Sequence, residues 1–172
     1  TSNENTNQKT IEKYRRESLT DTISKDILDG LHFITKEIHN ILKGSYSEYI
    51  KDQNNCRKLQ ECLSLTNSNI ISNIFFEILQ NIFELLTHRY ANYFCQIIFN
   101  YLNNKEKLIY LKEVSKYIVS ISNNKIGTYP LQTIIDNTHT KEEILILTFP
   151  FRDTETLNEV VSDENGVHVI EK

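Results

Sequence analysis

His88-Arg-Tyr-Ala-Asn-Tyr-Phe-Cys-Gln96 is one of three stretches of this chain that can be laid over one another without a gap. The others are Asp52-Gln-Asn-Asn-Cys-Arg-Lys-Leu-Gln60 and Asn124-Lys-Ile-Gly-Thr-Tyr-Pro-Leu-Gln132. Their closing glutamines stand at 60, 96 and 132, two equal steps of 36 residues. A fourth stretch, Asp163-Glu-Asn-Gly-Val-His-Val-Ile-Glu171, follows after a step of 39 with glutamate in place of glutamine. A period of this size marks stacked repeats, since each unit is a small supersecondary element that buries its apolar face only against its neighbours.

Every unit has the same grammar. A small residue (Asn55, Ala91, Gly127, Gly166) precedes a polar or small one, then one with a flat face, two mostly apolar positions and Gln or Glu. An apolar pattern at helical spacing follows, clearest at Ile97, Ile98, Tyr101 and Leu102 and again at Ile134 and Ile135. Pro130 is tolerated in the first turn of a helix, where its missing N–H has no partner to lose, so the third of these helices is expected to start near Gly127 or Thr128. Between units, Leu108, Leu111, Val114, Tyr117 and Ile118 predict a second amphipathic helix. Two or three helices per 36 residues, stacked on neighbours, define an all-α solenoid.

The remaining composition fits that reading. The chain has 172 residues, with four glycines, two prolines and no Met or Trp, as expected of helices joined by short polar turns. No run of eighteen apolar residues occurs, so no membrane span is expected. Residues 1–15 read as a disordered polar tail; Thr1 to Thr10 lack the apolar region of a secretory signal. Apolar positions at Ile23, Ile27, Leu28, Leu31, Ile34, Ile38 and Ile41 predict capping helices within 16–45, ahead of repeats over 46–172. Lys172 falls inside what should be a helix, so a longer parent chain is expected. Cys56, Cys62 and Cys95 are an odd number with no C-x-x-C pair, which speaks for a reducing compartment and against a disulfide framework or zinc site.

Positions one, two and five of each unit form a repeated triad: Cys56, Arg57, Gln60; Asn92, Tyr93, Gln96; Thr128, Tyr129, Gln132; Val167, His168, Glu171. Residues i and i+4 share a helix face, so the first and last members of each triad point the same way. Arg57, Tyr93, Tyr129 and His168 all carry a flat π face, the requirement for stacking on a nucleobase. Packing between helices is the commoner fate of one helical tyrosine; four flat residues in register favour stacking. Cys62 and Cys95 are read as core residues.

These units resemble the repeats of the Pumilio (PUF) family. Asn92-Tyr93-Phe94-Cys95-Gln96 looks like its N-Y-x-x-Q signature, Asn55-Cys56-Arg57-Lys58-Leu59-Gln60 its G-[SC]-R-x-x-Q form, and Asn165-Gly166-Val167-His168-Val169-Ile170-Glu171 its N-G-N-H-V-x-Q form. The resemblance covers Tyr46 to Lys172 and implies a right-handed α-solenoid fragment of about four repeats. It implies single-stranded RNA as partner, one base per repeat, with base-edge contacts from Cys56, Gln60, Asn92, Gln96, Thr128, Gln132, Val167 and Glu171. Arg57, Tyr93, Tyr129 and His168 would stack. By family analogy Cys56 with Gln60 suggests adenine, Asn92 with Gln96 uracil, and Thr128 with Gln132 adenine, giving 5′-AUA-3′ on an antiparallel RNA. Further expectations are a cytoplasmic monomer that regulates messages through their 3′ untranslated regions, helped by protein partners and needing no cofactor.

The sequence also departs from the family pattern. Asn55 and Ala91 replace the usual Gly, Val167 cannot hydrogen-bond a base edge, and Glu171 lacks the amide donor. Charge is uneven: nine Lys/Arg against six Asp/Glu over residues 51–125, three against nine over 126–172, and seven against eight over 1–50. The acidic C-terminal third favours a second reading, a solenoid that grips protein or structured RNA, as in ribosome assembly, with a nucleolar location. His32, His39, His88, His139 and His168 are scattered, no nucleophile, phosphate-loop or metal motif occurs, and Glu142-Glu143 and Asp163-Glu164 read as solvated faces. No active site is expected.

Overall fold

A computed structural model describes residues 36–172; the tail expected over 1–15 and the first part of the expected cap lie outside the described residues. Residues 36–42 are helical and form α1. The helix stops at Gly44, whose φ of 86° is the left-handed conformation that glycine adopts without a Cβ penalty. The Glu77 carboxylate then accepts from Gly44 N at 2.7 Å and Tyr46 N at 2.5 Å, which ties this turn to the first repeat.

Eleven further α-helices follow: α2 (Tyr46–Tyr49), α3 (Gln53–Leu63), α4 (Ser68–Leu79), α5 (Ile82–Leu86), α6 (Ala91–Phe99), α7 (Asn104–Ser115), α8 (Ile118–Ser122), α9 (Thr128–Asp136), α10 (Lys141–Thr148), α11 (Thr154–Val161) and α12 (Val167–Ile170). A 3-10 turn, Phe149–Arg152, extends α10, and no strand occurs among the described residues. Each full repeat holds three helices: a short one, the one bearing the triad, and a longer one. The short helices start at 46, 82, 118 and 154, three equal steps of 36. The extra three residues of the fourth triad are therefore taken up inside its repeat, where α11 has eight residues against five in α8.

Capping residues define the long helices. Asn67 accepts from Ile70 N to start α4, while Asn103 with Glu106 and Thr140 with Glu143 form capping boxes at α7 and α10. Glu143 corrects the expectation of a solvated face: it is buried, and accepts from the His139 and Thr140 amides at 2.9 Å each. Burial alone would raise its pKa, but these hydrogen bonds and nearby Lys107 leave it below the usual glutamate value.

Stacking is periodic. Triad helices pack in series, α3 on α6, α6 on α9 and α9 on α12, and the long helices pack α4 on α7 and α7 on α10. Leu59, Cys95 and Leu131, spaced by 36, are all buried, as are Phe75, Leu111 and Leu147. Each fully buried Phe or Leu contributes about 1.5–3 kcal/mol. Cys95 is core as expected, whereas Cys62 is only half-buried. The stripe expected through Leu108, Leu111, Val114, Tyr117 and Ile118 spans two elements, because α7 ends at Ser115. Tyr110 replaces Leu108 as a fully buried member, its hydroxyl donating to Cys95 O at 3.1 Å. Tyr117 is part-exposed and stacks on Phe83, ring centroids 5.4 Å apart.

Candidate nucleic-acid interface

The turn before each triad helix is built by the residue that opens each aligned stretch. Asp52 Oδ1 accepts from Asn54 and Asn55 amides, His88 Nδ1 from Tyr90 and Ala91, Asn124 Oδ1 from Ile126 and Gly127, and Asp163 Oδ1 from Asn165 and Gly166. Glu164 is exposed as expected, while half-buried Asp163 orders this turn, and the Gly166 and Asn165 amides hold its carboxyl below the usual range. His88, one of five scattered histidines in the sequence, has the same duty. The four-residue offset from each cap to its triad could have revealed this role.

The helices that follow these turns present the triads in register. The flat residues point outward: Tyr93 is 58% and Tyr129 68% exposed, and Arg57 and His168 are exposed as well. The first members are sunk beneath them, Cys56 at 2%, Asn92 at 4% and Thr128 at 3% exposure. The glutamines lie between these extremes, half-buried.

One hydrogen bond recurs in the first three repeats. Gln60 Nε2 donates to Cys56 Sγ at 3.1 Å, Gln96 Nε2 to Asn92 Oδ1 at 3.0 Å, and Gln132 Nε2 to Thr128 Oγ1 at 3.1 Å. The first members are held in turn. Cys56 Sγ donates to Tyr90 O at 3.3 Å, Thr128 Oγ1 to Asn165 O at 3.0 Å, and Asn92 Nδ2 to His88 O at 2.7 Å. Burial raises the pKa of the Cys56 thiol and keeps it a donor at neutral pH. In the fourth repeat half-buried Val167 has no polar group to offer, and Glu171 pairs with His168 Nδ1 at 3.3 Å. The structure thus aligns all four triads, but only three have a fixed amide.

Between the first and second repeats lies a cleft of about 450 Å³. Its walls include Arg57 and Tyr93, with Cys56 and Gln60 beneath, so consecutive flat residues flank an open slot. Gln53, Asn54, Arg89 and Tyr90 complete the lining. Arg89, whose guanidinium lies 4.3 Å over the Tyr90 ring, was missed by reasoning on triads alone. Its signal is positional: three residues ahead of each triad stand Gln53, Arg89, Lys125 and Glu164. No group of three or more His, Cys, Asp or Glu that could hold a metal ion occurs among the described residues.

Three-helix units that stack at a constant period, each with an outward flat residue and the first three with an anchored amide beneath it, define a class, the α-helical repeat proteins. Within it, this chain belongs to the Pumilio (PUF) family. It is 35% identical over 130 residues to a Pumilio domain-containing protein of Schizosaccharomyces pombe, covering 75% of this chain and 16% of that protein. Among solved structures it resembles the Puf4 RNA-binding domain bound to an HO endonuclease RNA 3′ UTR recognition sequence. There the TM-score is 0.67 and identity 33%, over 74% of this chain and 39% of that one. It also resembles the RNA-binding domain of yeast Puf5p bound to AAT2 RNA, with a TM-score of 0.68 and 26% identity over 74% of this chain and 36% of that one. No protein-family model matches the chain. The chain spans roughly a sixth to a fifth of the length of the curated relatives it matches.

Proposed function

We propose that this chain binds single-stranded RNA sequence-specifically along the ridge formed by α3, α6, α9 and α12, one base to each repeat. Bases enter between consecutive flat residues, as in the slot between Arg57 and Tyr93, and meet the anchored glutamine beneath. The preferred triplet is 5′-AUA-3′, read by the third, second and first repeats in that order. Its setting is the 3′ untranslated region of a message in the cytoplasm, where the bound monomer controls translation or decay through recruited proteins. The observation that carries this reading is the thrice-repeated pairing of a half-buried Gln amide with the first triad residue, each under an exposed flat side chain.

Stacking at about 1–3 kcal/mol per base supplies affinity without a strongly basic surface, which suits a chain of net charge −4. Fluorescence-anisotropy titration at stated salt, with a short RNA containing AUA and one carrying CCC in its place, tests the proposal. Tighter binding of AUA is expected. Equal binding of both would remove the sequence-specific reading and favour a grip on RNA shape or on protein, for which the acidic residues 126–172 argue.

A further inference from the structure

In the third repeat both functions of the Thr128 hydroxyl are already engaged. Its proton goes to Asn165 O in the fourth repeat at 3.0 Å, and its oxygen accepts from Gln132 Nε2 at 3.1 Å. The side chain is buried under α9's exposed face. A hydroxyl that donates to a carbonyl can offer only lone pairs elsewhere, so Gln132 must turn its NH2 toward Thr128 and its carbonyl oxygen away. The same logic holds for Asn92, whose amide donates to His88 O and so offers Oδ1 to Gln96. It also holds for Cys56, whose thiol donates to Tyr90 O and offers sulfur to Gln60. Three chemically different side chains thus impose one amide polarity on three glutamines.

We infer that Thr128 is a positioning residue for base selection: it fixes the direction of the Gln132 amide and reads no base edge itself. The inference rests on the RNA-binding reading above. A base edge carries donors and acceptors in a set order, and an amide of fixed direction matches one order and opposes the reverse. An amide free to turn over accommodates both. Losing the anchor therefore lowers discrimination between bases more than it lowers affinity. It also transmits the fourth repeat's placement to the third repeat's base, because the Thr128 proton is held by Asn165 O on the turn before α12.

The test is a double-mutant cycle on the full 172-residue chain, using RNAs that carry A or G at the first position of the triplet, purines of equal size whose Watson–Crick edges carry donor and acceptor in opposite order. T128V keeps the shape and removes the hydroxyl. It is expected to cut the preference for A about five-fold, the net worth of roughly one hydrogen bond. In a Q132A background, T128V should have no further effect on the preference, whereas T128S should restore it in the native background. An equal loss in both backgrounds would overturn the inference and make Thr128 a direct base contact; no loss in the native background would overturn it too. A wild-type chain with no preference at this position would refute the sequence-specific reading itself, a result distinct from either. Without RNA, proton exchange of the Gln132 side-chain amide by NMR gives a second readout. Faster exchange in T128V, measured well below the melting transition of both chains, supports the anchor, and identical exchange removes it.

Discussion

Truncating Tyr93 to alanine separates stacking from packing. The ring is 58% exposed, and Tyr93 N bonds Tyr90 O through the backbone, which the substitution preserves. No cavity opens in the core, so stability should move by no more than about 0.5 kcal/mol, the range of surface changes. In the RNA complex the consequence is larger. In sequence register Tyr93 falls between Arg57 one repeat back and Tyr129 one repeat on, so on the proposed reading its ring would contact a base on each face. One lost stack is worth about 1–3 kcal/mol, or roughly a five- to 150-fold loss of affinity.

Anisotropy titration of Tyr93→Ala with the AUA RNA gives that number, and a thermal melt of the same sample shows whether the fold is intact. Tyr117→Ala is the matched control: an exposed aromatic of the same type, stacked on Phe83 away from the triads, whose loss should leave RNA affinity unchanged. Unaltered binding by Tyr93→Ala would refute the stacking role, as would an equal loss in Tyr117→Ala, since position on the ridge would then count for nothing.

Other perturbations report on the scaffold. Gly166→Ala should lower the melting temperature markedly, because a Cβ there would clash with Val160 O and Asn123 Oδ1, and backbone cannot yield as a flexible side chain does. A loss of about 1–3 kcal/mol is expected by chemical denaturation, and a wild-type midpoint would show that the turn before α12 is looser than described. Acid should destabilise the fold through Glu143, Asp153 and Asp163, whose carboxyls are held below their ordinary values of 4.5, 3.8 and 3.8. Since the folded-state pKa values are the lower ones, this stabilisation is complete above about pH 5 and fades as pH falls through the ordinary values toward the folded-state ones. Denaturation midpoints at pH 7, 5, 4 and 3 should fall only in the last two steps, and a flat series would refute the assignment.

Periodicity alone disclosed the repeat and the triads. Gln60, Gln96 and Gln132 keep step because the helices bearing them pack one upon the next, and a slip of one residue would turn the flat side chains into the core. Burial depth was less legible. Cys56, Asn92 and Thr128 belong in sequence to a polar surface set, yet each is nearly inaccessible because α3, α6 and α9 lean on the following turn. Glu143 read as solvent-facing because its two partners are backbone amides, which no side-chain pattern displays. Arg89 escaped attention for another reason: it lies outside the triad, and only folding sets it beside Tyr93 in the cleft.

The fourth repeat shows how recognition and stacking diverge within one scaffold. Its architecture keeps time: α11 begins on the 36-residue step, α12 packs on α9, and Asp163 caps its turn as Asp52 caps that of the first repeat. Its chemistry does not, with Val167 unable to anchor an amide and Glu171 drawn to His168. Lys172 meanwhile reaches back to Asp136 on α9 at 2.7 Å, giving the repeat an ion pair with its neighbour in place of a base-reading pair. Backbone interactions and apolar packing set the solenoid period, while on the proposed reading two side chains per repeat would set the choice of base. Mutation can therefore erase the second without disturbing the first, and the Asn165 carbonyl, held in place by the fourth repeat, still serves the third as the acceptor that orients its glutamine.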